Sequence, residues 1–434
     1  MEISFRYFVL ASTITLFLFV GKKSIAQNFN SDTLRLSLPQ IEKIFLEKNL
    51  PVLAQKYNVQ AAKALIIQAK LWPNPNINIS NGIYNTQNKK FFQIADTDTT
   101  FAEQAITISQ LIVLAGKIKK QVKVAETTYH LAEYGLYDLL RTLKFALRTT
   151  FFNIYYFRQT AKVYDKEIGA LKVIVAAFQE QVDSGYVTQT DLVRVQAQLY
   201  SLQNEYQILV DNINDQQSQI RLLIKALPTT YIIPVADTVA IQNANPLVFT
   251  MASLLDSAYA NRTDLMIAKG NLLLSQQNYS LQKAMAVPDL SVGISYDKHG
   301  SYTPFFTSAG VGLNIPIFNR NQGNIKSSRI AIDVNKVQLQ FTQDVMEEQV
   351  SRGLQKAIDA DKLYKQINPS FANHFDVLAE AMMQSYKQRF VRLVDFLSFY
   401  DSYKQNIVQL NTILSNKINA LENINFFTGS NLFN

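Results

Sequence analysis

Residues able to do chemistry are scarce in this chain. Its 434 positions hold three histidines and no cysteine. His130, His299 and His374 lie far apart in different segments, without the HExxH spacing that sets two imidazoles on one helix face to hold zinc. With no Cys there is no thiol nucleophile, thiolate metal site, disulfide framework or acylated N-terminal cysteine. Neither a P-loop nor a G-x-S-x-G turn occurs, so no enzyme activity, cofactor or metal is expected. The polar features that stand out are two turn-like stretches, Gly185-Tyr186-Val187-Thr188 and Arg389-Phe390-Val391-Arg392, and Asp395 at a helix start, where the helix dipole favours an anion.

Composition sets the surroundings of these residues. The chain is 48% hydrophobic and only 18% charged, below the roughly 25% usual for soluble proteins, which points to a surface partly turned away from water. The formal charge is +8, and the residues after position 26 carry 39 basic and 33 acidic side chains. These are scattered rather than gathered on one face, which argues against nucleic acid as a partner.

Phe8 to Val20 is an unbroken apolar or small run, preceded by Arg6 and followed by Ser24-Ile25-Ala26, the pattern of a cleaved export signal over 1–26. The run is too short for a membrane helix, which takes about 20 residues, and no later stretch reaches about 18 apolar residues. Any membrane contact must be made by strands.

Proline spacing leaves room for long helices. No Pro occurs between Pro75 and Pro228, and only Pro369 interrupts the stretch after Pro316. Ile118, Val122, Ala125, Tyr129 and Ala132 open a seam in steps of three and four, resumed by Tyr164, Ile168, Leu171, Val175, Phe178 and Val182. A second seam runs Leu192, Val195, Leu199, Leu202, Tyr206, Leu209, Ile213, Gln216, Ile220, Leu223, Leu227. The span from Gly116 to Ser184 would be about 100 Å of helix at 1.5 Å per residue. The polar interruptions Thr150, Asn153 and Thr160 are candidates to face a wet interior.

The flanking segments alternate with period two instead. Leu290, Val292, Ile294 and Tyr296 interleave with polar or small residues, and so do Val311, Leu313, Ile315 and Ile317. Ile77, Ile79, Ile106 and Ile108 make a weaker copy. Strands are thus expected at 75–84, 104–113, 288–297 and 306–317. Each has one apolar and one polar face, as in membrane barrels, but four strands are too few to close a barrel, for which about 8 is the smallest number. Several chains must pool them, or a helix layer must cover them.

The segments also repeat. Pro51-Val52-Leu53 precedes Thr263-Asp264-Leu265 by 212 positions, and Pro75-Asn76-Ile77 precedes Pro288-Asp289-Leu290 by 213. Ile108-Ser109-Gln110-Leu111-Ile112 precedes Leu313-Asn314-Ile315-Pro316-Ile317 by 205, and Gly185 to Val193 precedes Arg389 to Leu397 by 204. One unit is duplicated: a first repeat over 27–245 with a helical hairpin at 116–227, and a second over 246–434 with a hairpin at 322–425.

The ordered set resembles the TolC family of outer-membrane efflux proteins. It includes Leu36-Ser37-Leu38 with Asn49-Leu50-Pro51, the strand start at Pro75, Gln110 before Gly116-Lys117, Ile315-Pro316-Ile317-Phe318 with Gly323, and Gly185-Tyr186-Val187-Thr188 before Asp191-Leu192. The resemblance implies a mainly α chain with a membrane β-barrel contribution. Each chain of a homotrimer would give four strands to one 12-stranded barrel, continued by a periplasmic α-helical tunnel. It implies a passive exit duct in the outer membrane, working with a periplasmic adaptor and an inner-membrane transporter to export small molecules or metal ions. Type I protein secretion is an alternative. A periplasmic coiled-coil adaptor or structural protein is a further one, although an adaptor would carry one helical hairpin rather than two matched halves.

Two sites follow from the resemblance. Val394-Asp395-Phe396-Leu397-Ser398 matches the stretch whose aspartates close the periplasmic end, with Ser398 in place of the second aspartate. Three copies of Asp395 would form an acidic ring able to hold cations. The tips Gly185, Tyr186, Val187, Thr188 and Arg389, Phe390, Val391, Arg392 correspond to adaptor-docking turns, Arg389 standing where a glycine is usual.

Overall fold

The computed structural model describes residues 32–86, 89–92, 104–237, 239, 243–299, 303–367, 371–388 and 390–433. The expected export signal and Arg389 lie outside them. Two short helices open the first repeat, α1 (Leu38–Lys48) and α2 (Leu50–Ala69). Asn49 joins them: its side-chain oxygen accepts from Val52 N–H at 3.0 Å, and its amide donates 2.8 Å to Leu223 O. That bond satisfies one of the orphan donors of a helix start.

The proline-free span forms one helix of 67 residues, α3 (Lys117–Asp183), about 100 Å long. It is followed by α4 (Gln189–Ile224). The second repeat has α5 (Met251–Asn261), α6 (Thr263–Met285), α7 (Gln322–Lys365), α8 (Phe371–Lys387) and α9 (Leu393–Thr428). The hairpin expected over 322–425 is therefore not continuous in its first arm. α7 ends at Lys365, Gln366 and Ile367 leave the helix, and α8 begins at Phe371, while 368–370 lie outside the described residues. Both long arms open on a left-handed residue, Gly116 at φ +65° and Asn321 at φ +57°.

The helices pack side by side as neighbours in a layer. Neighbours run α2-α3-α6-α7 toward the strands and α4-α3-α9-α7 below, with α8 beside α9. A core of Ile41, Phe45, Leu147, Phe151, Leu254, Met346, Ile418 and Leu421 joins α1, α3, α5, α7 and α9 at mid-height. A second core, including Leu171, Leu192, Leu202 and Phe396, binds α3, α4 and α9 in the tip half. A parallel pair unforeseen from the sequence, β1 (Thr33–Ser37) with β6 (Tyr231–Val235), lies against this layer.

Two details of the seams differ from expectation. After Ile213 the buried positions are Gln217, Ile220 and Ile224, not Gln216, Leu223 and Leu227. Gln217 moves inward because it clamps β6: Ile232 N–H donates to its Oε1 at 2.9 Å, and its amide donates to Ile232 O at 2.6 Å. The helix then ends at Ile224, leaving Leu227 beyond it and exposed. Thr150 and Thr160 are buried, and Asn153 accepts from Asn419 at 2.9 Å while Thr160 accepts from Asn411 at 3.1 Å. Asn153 and Thr160 thus stitch α3 to α9, and the Thr150 hydroxyl donates to Gln219 of α4 at 3.4 Å, so these polar atoms are used between helices instead of facing a wet interior.

Candidate functional site

Four strands form one antiparallel sheet in the order β2 (Asn76–Asn81), β5 (Gln104–Ile112), β7 (Leu290–His299), β8 (Pro304–Leu313). A separate small pair, β3 (Tyr84–Asn85) with β4 (Lys90–Phe91), takes the end of the segment expected to be strand to 84. The strand expected over 306–317 starts earlier and stops at Leu313. Pro316 cannot donate to a ladder, and Ile315 and Ile317 are left outside it, exposed. In the sheet Leu313 occupies the level of Ile112, both meeting Leu290, so the equivalence of Leu313 with Ile108 shifts by four residues. The second link from strand to long helix is longer by those four.

Register aligns the side chains in rows. One face carries Ile77, Ile108 and Ile294 side by side, then Ile79, Ile106 and Tyr296, then Val292 with Val311 and Leu290 with Leu313. Ile77, Ile79, Ile108, Ile294 and Val311 are half to three-quarters exposed. The other face carries Asn78, Thr107, Ser295 and Ser308 in one row, with Thr107 and Ser295 hydroxyls 2.9 Å apart. β2 and β8 are both edges. An apolar face turned outward with unpaired edges is a liability in water, and in lipid it is required, provided the edges close on other strands.

Each of the four links between sheet and helices is tied to a neighbouring link, strand or helix end. Gln110 donates 2.9 Å to Pro73 O. Lys117, buried, donates 2.7 Å to Val287 O and pairs with Asp289 at 2.7 Å, and Asp289 also accepts from Leu114 N–H. Asn321 donates to Gln282 O at 2.8 Å.

At mid-height, buried charges are paired. Arg148 makes a bidentate bond to Glu422, 2.6 and 2.8 Å, and a third to Glu42 at 2.9 Å. Burial opposes its charge, but the bonds and charges of Glu422 and Glu42 outweigh this and raise its pKa. Asp361 lies between Lys417 and Lys365, each at 2.7 Å. Burial acts to raise its pKa, and the two lysines more than offset this and hold it below the usual aspartate value.

The tips close by backbone chemistry. At the end of α3, Tyr186 N–H donates 2.9 Å to Gln181 O and Gly185 N–H donates 3.0 Å to Val182 O, with Gly185 at φ +75°. This is a Schellman ending, which needs a residue without Cβ strain. Thr188 then caps α4, accepting from Asp191 N–H at 3.1 Å. In the second tip Phe390 N–H donates 2.9 Å to Ser385 O. Tyr186 and Phe390 are both almost four-fifths exposed, while Val187 and Val391 pack against the tip core. Asp395 does not stand alone: Arg392 donates to it through Nε at 2.8 Å and Nη2 at 3.2 Å. That bond, then the carboxylate's charge, raises the Arg392 pKa. The Arg392–Asp395 spacing of three was the signal for this pair. Of the mid-height ion pairs only Asp361–Lys365 has a local spacing, four residues; the other partners are 56 to 274 positions apart and left no signal in the sequence.

A sheet that is apolar on one face, polar on the other and open at both edges, set on a layer of very long helices, has the pattern of strands that pool with other strands in lipid. The family model described as outer membrane efflux protein matches residues 43–224, from α1 through α4. No curated protein sequence matches the chain significantly. Among solved structures, a membrane protein from Pseudomonas aeruginosa aligns with TM-score 0.72 at 14% identity, over 90% of this chain and 92% of that one. The Campylobacter jejuni CmeC outer membrane channel aligns at 0.71 and 14%, over 90% and 85%. The open state of the Neisseria gonorrhoeae MtrE outer membrane channel aligns at 0.66 and 14%, over 91% and 89%. Identities this low speak for the fold, and the family match speaks for the sequence. Residues 43–224 thus match the outer membrane efflux protein family, and the solved channels share the fold of the whole chain.

Proposed function

We propose that this protein is one subunit of a homotrimeric exit duct in the outer membrane, carrying small molecules or metal ions outward from an inner-membrane transporter through a periplasmic adaptor. The observation that carries the reading is the sheet: its exposed apolar rows fit lipid, its polar rows fit a water-filled lumen, and its two free edges demand neighbouring copies. The helical layer then forms the wall of a tunnel across the periplasm. The chain does no chemistry on its cargo in this reading, and energy comes from the transporter.

The exposed Tyr186 and Phe390 at the tips are the surfaces we assign to adaptor docking, flanked by Gly185, Val187, Thr188, Arg389, Val391 and Arg392. Asp395 is the gate residue in this assignment, with its charge balanced by Arg392 of the same chain. The mass of the detergent-extracted protein tests the duct directly. A trimer from the outer-membrane fraction that conducts in planar bilayers is expected, and a soluble periplasmic monomer overturns the reading.

A further inference from the structure

Glu167 lies on α3 in the tip half, 1% exposed, and neither of its carboxyl oxygens has a hydrogen-bond partner among the described residues. Its neighbourhood is charged. Lys404 of α9 is the nearby cation, but its ammonium is already committed, 2.9 Å from Glu205 of α4 and 3.0 Å from Asp401 of α9. The Tyr164 hydroxyl on α3 also donates to Glu205, at 3.1 Å. Tyr400 of α9, whose hydroxyl donates to Ala379 O of α8, also interacts with Glu167, and Glu380 of α8 acts on Tyr400. Three carboxyls thus share one ammonium. An ionised carboxylate without partners is among the costliest groups to bury, and such a group takes up a proton instead.

We propose that Glu167 is a proton-binding site that locks α3, α4 and α9 together while it is protonated and releases them when it ionises. Neutral, it packs as a polar but uncharged member of the tip core beside Ile168 and Leu171. Ionised, it must reach water, which opens the seam between helices, or draw Lys404 away from Glu205 and Asp401, which breaks the contact between α4 and α9. Burial, then the charges of Asp401 and Glu205 working against that of Lys404, pushes the Glu167 carboxyl up to about 8. The native state therefore binds more protons than the unfolded state between about 4.5 and about 8, and tip packing weakens as pH rises through that window. The site stands 16 residues before the end of α3, about 24 Å along the helix, so its release loosens the end where the tips lie.

The lock rests on packing within one chain, while its effect on flow rests on the duct reading. Hydrogen exchange of the full-length, detergent-solubilised protein, corrected for intrinsic rates, tests the lock. Protection of peptides over 164–213 is expected to fall by up to about tenfold per unit between about pH 6 and about pH 8. Glu167→Gln should hold protection high and flat. In protein labelled with carbon-13 glutamate, a protonated-carboxyl infrared band is expected at pH 6, fading by pH 9 and missing in E167Q. A wild-type pH profile retained in E167Q, or no such band in the wild type, overturns the proposal. Conductance separates the two readings. A pH-dependent tip without any conductance upholds the lock and overturns the duct, and conductance with a pH-independent tip does the reverse.

Discussion

The mid-height band and the tip half are built from the same helices, α3 and α9, yet they treat buried charge in opposite ways. At mid-height Arg148 is enclosed by Glu422 and Glu42, and Asp361 by Lys417 and Lys365. In the tip half Glu167 is enclosed without a partner. Complete pairing makes a joint that holds as long as its carboxylates stay ionised. An incomplete set makes one that holds as long as its carboxyl stays neutral. The two bands should therefore loosen at opposite ends of the pH scale, and a tube wall anchored at its middle can move at its end.

The contrast can be broken most severely by Glu422→Ala, which removes the bidentate partner of buried Arg148 and leaves it only Glu42. A loss of about 3 kcal/mol is expected, the lower end of the cost of breaking a buried ion pair, read as a large fall in the denaturant midpoint of the whole chain. Lys417→Met should come next. It leaves Asp361 with only the more exposed Lys365 and should cost about 1–3 kcal/mol. Acid sharpens the same comparison. Because the Asp361 pKa is depressed in the folded state, its stabilisation is complete above the ordinary aspartate value near 3.8 and is lost as pH falls through the lower folded one. Exchange at mid-height should thus rise only in strong acid, while exchange at the tip rises toward alkaline pH. Gly185→Val is a smaller, local break. A branched residue at φ +75° should cost about 1–2 kcal/mol, fraying the end of α3 with no change in mid-height protection. Smallest in stability is Arg392→Ala, which exposed pairing predicts will leave the melting temperature unchanged. Its readout is in bilayers, where freeing Asp395 should strengthen cation block, and Asp395→Ala should weaken it or raise conductance.

What could be read in advance followed from periodicity. The three-and-four spacing from Leu192 to Ile213 and the alternation of Ile77, Ile79, Ile106 and Ile108 each record which side of a chain meets its neighbours, so they reveal helices and strands directly. Ends were harder to read. Ile315 and Ile317 continue the alternation of Val311 and Leu313 although the ladder stops before them, because alternation reports a face and not a hydrogen bond. Gln217 displaced Gln216 because β6 offered it two backbone bonds, a tertiary contact with no local trace. Glu167 was invisible for the same reason. Its isolation depends on Lys404 being occupied by residues from two other helices, and no pattern along α3 records that.

The links between sheet and helices carry a mechanical consequence. Gln110 and Lys117 reach across to neighbouring links and Asn321 reaches the end of α6, so the ends of α2, α3, α6 and α7 that meet the strands are tied together. The wall behaves as a cantilever, clamped at the membrane and free at the far end. Over the roughly 55 Å of α3 between Arg148 and Gly185, a tilt of a degree or two at the band around Arg148 becomes a displacement of about 1–2 Å at Gly185. Opening at the tips then requires no rearrangement of the strands at all.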